Sequence, residues 1–385
     1  MGEKLMERET MAVLPNFIQP FLTWLTAKPR KEDLEKINKR TPLYHVIATS
    51  VLITFGTTLA IAGYSSGFFV PWLLGFVLTT SGIKQMQVMI CHNCAHNMVF
   101  ASRTANFQFG NLLSGFFLLK PFAIYKKEHL LHHDHKTLLT DDDDTLSFLK
   151  GTVGLTPNDS VKMMWAKLVW HAFSPITILG SVTKRVASTI TSEDRKVSTL
   201  TLLFWISLIG IFLAAGQIEL FVAVWALPVF AGFHISSTFR LAAEHTWPSV
   251  EVLEKRGIAF VSEATTGVFI GQALELPESA SALNRSVRIT IWLLKMATFH
   301  LFVRLFVMVG DTPCHDFHHR RPKSKDWPNY ITAREKDLND GSKPYPVNYE
   351  DHWGYLSAVT QNFRNYRDAR PYYENIATDL QGVKA

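Results

Sequence analysis

Four long runs without Asp, Glu, Lys or Arg constrain this chain more than any other feature. Val46 to Tyr64 is the first, and Gly67 to Ile83 follows it directly after the tight turn that begins at Ser65. Ser198 to Gln217 and Leu220 to Phe239 form a second closely spaced pair. A membrane-crossing helix needs about 20 apolar residues, and each run is near that length. Apolar residues make up 47% of the 385 and charged residues 19%, and the apolar ones are bunched rather than spread. The expectation is an all-α integral membrane protein with four transmembrane helices arranged as two hairpins.

Charge placement orients the spans. Six Lys or Arg lie between Lys28 and Arg40, and the two hairpin turns hold none. By the positive-inside rule both termini are expected on the cytoplasmic side and the turns on the other. Residues 91–197 and 240–385 then form two large cytoplasmic regions. Three further apolar stretches, 106–123, 161–182 and 287–309, carry scattered charges and read as interfacial helices rather than spans. The expected organisation is a cytoplasmic N-terminal segment (1–43), a membrane domain (44–320) and a cytoplasmic C-terminal cap (321–385). The net charge of +6 fits anionic lipid, and no basic tract with interleaved aromatics suggests nucleic acid. Three cysteines, Cys91, Cys94 and Cys314, do not make a disulfide framework. The single Cys91/Cys94 pair is a weak zinc signal.

The histidines fall into a pattern. Eight of the fifteen lie in three short motifs. "HNCAH" contains His92 and His96, "HLLHH" contains His129, His132 and His133, and "HDFHH" contains His315, His318 and His319. Residues three and four apart share a helix face, so each motif can aim two or three imidazoles at one point. The second run, continued as helix to His96, and the fourth, continued to His245, would each carry histidines beyond the membrane. Eight or nine imidazoles are too many for one zinc with four ligands. Two metals account for the count, although imidazole suits iron, zinc, copper and nickel alike. A shared site also requires that 287–309 does not cross the membrane.

The ordered motifs, their placement relative to two helical hairpins, and "RLAAEH" before the third motif make the chain resemble the membrane fatty-acid desaturase and hydroxylase superfamily from about Val46 to His319. That resemblance implies a non-haem di-iron centre with O2 as co-substrate and electrons supplied from outside. It implies as ligands His92, His96, His129, His132, His133, His245, His315, His318 and His319. Many members carry an acidic residue after the first histidine, where this chain has Asn93, and some an asparagine where it has Leu241. The reaction expected is desaturation of a fatty-acyl or similar hydrocarbon chain. Hydroxylation, or oxidative decarboxylation of a fatty acid to a terminal alkene, would begin with the same hydrogen abstraction. No fused donor is visible, so the electron donor is expected to be a separate ferredoxin, rubredoxin or cytochrome with its reductase.

Other histidines read as structural: His45, His171, His234, His300 and His352. His135, six residues from His129, points away from its neighbours' face. Asp134, Glu244 and Asp316 adjoin ligands and are candidates to hydrogen-bond them. One of Asp141 to Asp144 could do the same. The basic stretch Arg320 to Lys325 suggests a docking patch for an acidic electron carrier. The competing class is a zinc-dependent membrane hydrolase or a metal transporter. A transporter would bury its ligands at the bilayer midplane, whereas these motifs lie beyond the ends of the runs.

Overall fold

A computed structural model describes residues 6–37 and 39–375. The first residues of the expected N-terminal segment and the last of the expected cap lie outside them. The helices that build the site are, in order, α1 (Gln19–Thr26), α2 (Pro42–Ser65), α3 (Phe69–Gln85), α4 (His92–Ala95), α5 (Arg103–Phe116), α6 (Phe122–His132), α7 (Val161–Phe173) and α8 (Pro175–Ile190), with shorter ones at Asp144–Ser147, Val250–Lys255 and Gly257–Ala264. They continue as α9 (Arg195–Ala214), α10 (Ile218–Glu244), α11 (Ala282–Val307), α12 (His315–Arg320), α13 (Tyr330–Asn339) and α14 (Tyr355–Asp368). Two three-residue strands, β1 (Gly267–Phe269) and β2 (Asp351–Trp353), pair in parallel.

The helix ends follow local chemistry. Pro42 occupies the first turn of α2, where its missing N–H costs nothing, and the Thr41 hydroxyl accepts from the Tyr44 amide. The chain leaves α2 through Gly67 at φ +70°, a left-handed conformation that glycine adopts without strain. The Asp194 carboxylate caps α9 by accepting from Val197 N. Pro228 sits inside α10 and lacks an N–H, and the helix widens around it into π-helical turns over Val222–Ala226 and Pro228–Gly232.

Among the described residues, four helices are long and apolar enough to cross a membrane: α2, α9, α10 and α11. Much of their apolar surface faces outward, as with Ile47, Val51 and Phe55 on α2 and Leu200, Leu203 and Ile206 on α9. Such a band needs lipid rather than water around it. Two points differ from the sequence reading. The run at 67–83 is helix α3, which at 17 residues is not among those four, although it continues beyond the run as expected, through a π-helical turn, Met86–Cys91, into α4. The stretch at 287–309, expected as an interfacial helix, lies almost wholly in the continuous 26-residue helix α11, which by length and composition could also cross a membrane. Arg288, Lys295 and Arg304 interrupt its apolar pattern, which is why the sequence favours an interfacial helix over a span. Trp292 and Met296 pack with Leu22 and Leu25 of α1, and buried Arg304 donates to Trp24 O and to the Tyr330 hydroxyl.

Small residues let α2 and α3 approach closely and antiparallel. A Cβ on Gly56 would stand 2.6 Å from Thr79 N, and one on Gly75 would meet backbone atoms of Ala60 and Gly56. Membrane helices associate through such contacts because lipid provides no hydrophobic drive between them. Arg185 of α8 ties the other helices together. It donates to the carbonyls of Leu118, Phe117 and Val229, the last of these in the π-helical part of α10.

The remaining elements pack beyond these helices on a second core that includes Leu138, Leu146, Met164, Phe260, Tyr355 and Phe363. Ion pairs stitch it. Arg334 of α13, fully buried, makes a bidentate contact with Asp316 of α12 and also reaches Asp351 of β2. Lys28 closes the network by pairing with Asp351 and Glu335.

The α2–α3 interface is the sharpest test of this packing. Gly75→Ala forces backbone apart and should destabilise the detergent-solubilised protein by about 1–3 kcal/mol. Gly210→Ala, where nothing lies within 4 Å of the new methyl group, should be neutral or gain up to about 1 kcal/mol from helix propensity. Thermal unfolding of the two variants beside the parent protein checks both.

Candidate metal centre

The three motifs lie on three short helical segments, and a fourth segment adds one residue. α4 carries His92, with His96 one residue past its end. α6 carries His129 and His132, with His133 next. α12 carries His315, His318 and His319. His245 is the first residue after α10, with extended backbone (φ −132°, ψ 157°). The sequence reading continued the helix through it, whereas the structure stops at Glu244 and turns the imidazole inward.

The nine imidazoles sort into two groups. His92, His96, His129, His133 and His318 form one. His132, His245, His315 and His319 form the other. Within each, the ligand nitrogens all lie within 4.8 Å of one another. The expectation that each motif aims at one point is therefore refined. His129 and His133, four apart, serve the first group, and His132 serves the second. His315 and His319, four apart, serve the second, and His318 the first. Adjacent helical residues point about 100° apart, whereas residues four apart differ by only about 40°. An HxxHH motif on a helix can thus divide its imidazoles between two neighbouring sites.

The donor chemistry fits cations. A neutral imidazole carries one N–H. His318 Nε2 lies 2.7 Å from His92 Nε2, 3.1 Å from His96 Nε2 and 3.0 Å from His133 Nε2. One N–H cannot serve three acceptors. His92 has its Nδ1 committed to Val88 O at 2.8 Å, so its Nε2 presents a lone pair. Burial holds His92 and His245 down to about 4 and His96 down to about 3, and it lowers His129, His133, His315, His318 and His319 well below the usual histidine value. Eight of the nine rings are thereby neutral near pH 7, the form that binds metal.

The exception is His132. Burial opposes its charge, but the Asp143 carboxylate outweighs burial and raises its pKa to about 9. Asp143 lies 2.7 Å from His132 Nδ1, and it also accepts from the amides of Leu139 and Thr145. It is fully buried and caps the short helix that follows. The aspartate run was legible as a source of a supporting carboxylate, and the structure singles out Asp143. A carboxylate behind the imidazole fixes which nitrogen faces inward and raises its basicity.

The three acidic neighbours go to different places. Asp134 is exposed and accepts from the Lys136 amide, touching no ligand ring. Asp316 reaches Arg334 rather than an imidazole, and so anchors α12. Glu244 is buried, with Oε1 3.1 Å from His315 Nε2 and 2.6 Å from Arg240 Nη1, and its Oε2 has no hydrogen-bond partner. It approaches the ligand side of the ring rather than the back. His135 is half-exposed, apart from both groups. Cys91 and Cys94 are buried, burial pushes both thiols up, and neither joins a metal-binding group among the described residues. The expected docking patch is corrected too. Arg320 is an interior residue, bonded to Ser342 and to the carbonyls of Val347 and Asn348 and stacked on Tyr349. Arg321 pairs with Asp337, which leaves Lys323 and Lys325 exposed.

A cavity of about 720 Å³ opens against both groups, lined by His92, His129, His132, His315 and Glu244 at one side and by Val88, Leu119, Phe148, Ile176 and Phe233 elsewhere. Tyr125, which borders it, stacks on His129 at 5.5 Å. Sequence reading passed over Tyr125, Lys84 and Arg240. A lysine at the end of an apolar helix is the signal that could have drawn attention to Lys84.

A family model described as fatty acid desaturase matches residues 66–353, a stretch that contains all nine histidines. A comparison with curated proteins gives no match.

Two measurements follow from this geometry. Asp143→Asn should weaken metal binding about 10- to 100-fold, while Asp134→Asn should leave it unchanged, as metal titration would read. The buried rings resist protonation in the fold but accept protons once unfolded, so their stabilisation is present above the ordinary histidine value of 6.5 and lost as pH falls toward 4. Metal-stripped protein should accordingly show a melting temperature that drops steadily over that window.

Proposed function

The chain belongs to the fatty acid desaturase family, and on that premise we propose that it is an O2-dependent membrane oxidase that desaturates a fatty-acyl or similar hydrocarbon chain at a pair of iron ions. The observation that carries this reading is the division of nine converging imidazoles into two adjacent groups. His92, His96, His129, His133 and His318 hold one iron, and His132, His245, His315 and His319 hold the other. Bound there, the pair supplies the oxidant that takes hydrogen from an unactivated C–H bond.

The protein's own residues do the rest. Asp143 orients His132, Val88 O orients His92, and Ala264 O lies behind His245. Arg334 holds α12 through Asp316. Glu244, between Arg240 and His315, supplies a carboxylate at the edge of the second group. The apolar part of the cavity holds the substrate chain against both groups and keeps water from it.

The site faces the cytoplasm in this reading, because the six basic residues between Lys28 and Arg40 precede α2 and the turns after α2 and α9 hold none. His245 precedes α11 and His315 follows it, yet the two rings lie 5.3 Å apart. That closeness supports α11 lying along the membrane surface on α1 instead of crossing. A separate electron carrier then approaches from the same side.

The reaction is tested by expressing the protein with a reductase system and profiling lipids by mass spectrometry. A product lighter by two hydrogens is expected, lost entirely in His133→Ala and His315→Ala. A product gaining one oxygen or losing CO2 would replace desaturation by hydroxylation or decarboxylation. No oxidised product from iron-loaded protein would overturn the oxidase reading.

A further inference from the structure

The cavity beside the metal-binding groups is not a purely apolar tunnel. Two helices face each other across it with polar stripes at helical spacing. From α3 and its π-helical continuation come Lys84, Gln87 and Cys91, and from α10 come Ser237, Arg240 and Glu244. Lys84 is 1% exposed. Its ammonium donates to Gln87 Oε1 at 2.8 Å and to Ser237 Oγ at 2.9 Å, and it stands 4.3 Å from the Phe233 ring. Among the described residues no carboxylate pairs with it. Arg240, one turn along the same face of α10, is close enough to interact electrostatically with Lys84. One guanidinium nitrogen is taken by Glu244, while its buried Nε has no partner among the described residues.

Buried charges are normally paired, because an unpaired one forfeits its hydration. Here two largely buried cations, Lys84 and Arg240, face one buried carboxylate, Glu244, which leaves about one positive charge there without a partner. Of the other charged lining residues, Lys120 pairs with Glu128, and Asp144 and Lys184 are exposed. Arg185 also borders the cavity, but its guanidinium is spent on three carbonyls. Asp311, another lining residue, is pushed up to about 7 by burial and so is only partly ionised near neutral pH.

We propose that Lys84, Ser237 and Arg240 bind the carboxylate of a free long-chain fatty acid, so that the acid group sits inside the cavity and the chain runs out along its apolar wall. This deepens the oxidase reading above, on which it rests, by naming the substrate class. A monoanion balances the single uncompensated charge, whereas the second charge of a phosphate would face Glu244. A thioester or glycerolipid ester offers no anion at this position. The geometry also sets where the chain reacts. Ser237 and Arg240 precede Glu244 by seven and four residues, roughly 10 and 6 Å along the helix. The carbons that reach Glu244 and His315 are therefore those in the carboxylate-proximal part of the chain rather than at its far end.

Binding tests this directly in full-length, iron-loaded protein in detergent, without an electron donor. Radiolabelled palmitate is the probe, with methyl palmitate and a palmitoyl lysophosphatidic acid as competitors. Wild-type protein should bind palmitate at least about tenfold more tightly than its methyl ester. Lys84→Met should abolish that preference, Lys84→Arg should restore most of it, and both should keep the wild-type iron content. Equal binding of acid and ester by the wild type would overturn the inference without need of any variant. So would tighter binding of the lysophosphatidic acid, or a Lys84→Met protein that still prefers the acid. Turnover is measured separately: acid preference in a protein that oxidises nothing would overturn the oxidase reading alone, and turnover without acid preference would overturn this inference alone.

Discussion

Nine imidazole nitrogens directed into one buried space make an arrangement that cannot satisfy itself. Each neutral ring has one N–H to give, and several of those are committed outward, as His92 is to Val88 O. The inward nitrogens then face one another at 2.7–3.1 Å. Protonation could relieve the repulsion for one ring, and Asp143 favours it at His132, but burial opposes it at the other eight. Cations relieve it for all. Much of the remaining structure serves to hold four chain segments against this repulsion.

The holding is distributed. Close backbone approach at Gly56 and Gly75 locks α3 against α2, so α4 leaves the stem at a defined place and angle. Pro228 and the π-helical turns of α10 shift the phase of that helix before it delivers Glu244 and His245. α12 is too short, at six residues, to hold itself. The Asp316–Arg334–Asp351–Lys28 network fixes it to α13, β2 and the N-terminal segment. Buried ion pairs contribute little net stability but are costly to break. The network therefore acts on position more than on stability, which is what a metal site needs. Segments that deliver the imidazoles also wall the cavity, so the two imidazole groups and the cavity are placed by one set of contacts.

Much of this was legible in the residues. The long apolar runs announced helices, and the HxxxH and HxxHH spacings announced shared faces, because hydropathy and helical period are local properties. What a local pattern does not encode is how a motif divides. The assignment of His132 away from His129 and His133 depends on where α12 packs. The choice of Asp143 among four aspartates depends on a turn that buries it. Asp134 was a candidate by adjacency alone, and adjacency in sequence placed it in solvent. α11 reads as interfacial because of its charges, yet one of them, Arg304, is buried against backbone carbonyls and Trp24. Arg320 looked like surface charge for the same reason.

The central claim is that two adjacent, nitrogen-rich sites each hold an iron. X-ray absorption at the iron edge, with metal quantification on the same purified protein, tests it most directly. Two irons per chain, each in a shell dominated by imidazole nitrogen, with the signal disturbed by His133→Ala and His319→Ala, is the predicted result. One zinc per chain and no iron would contradict it.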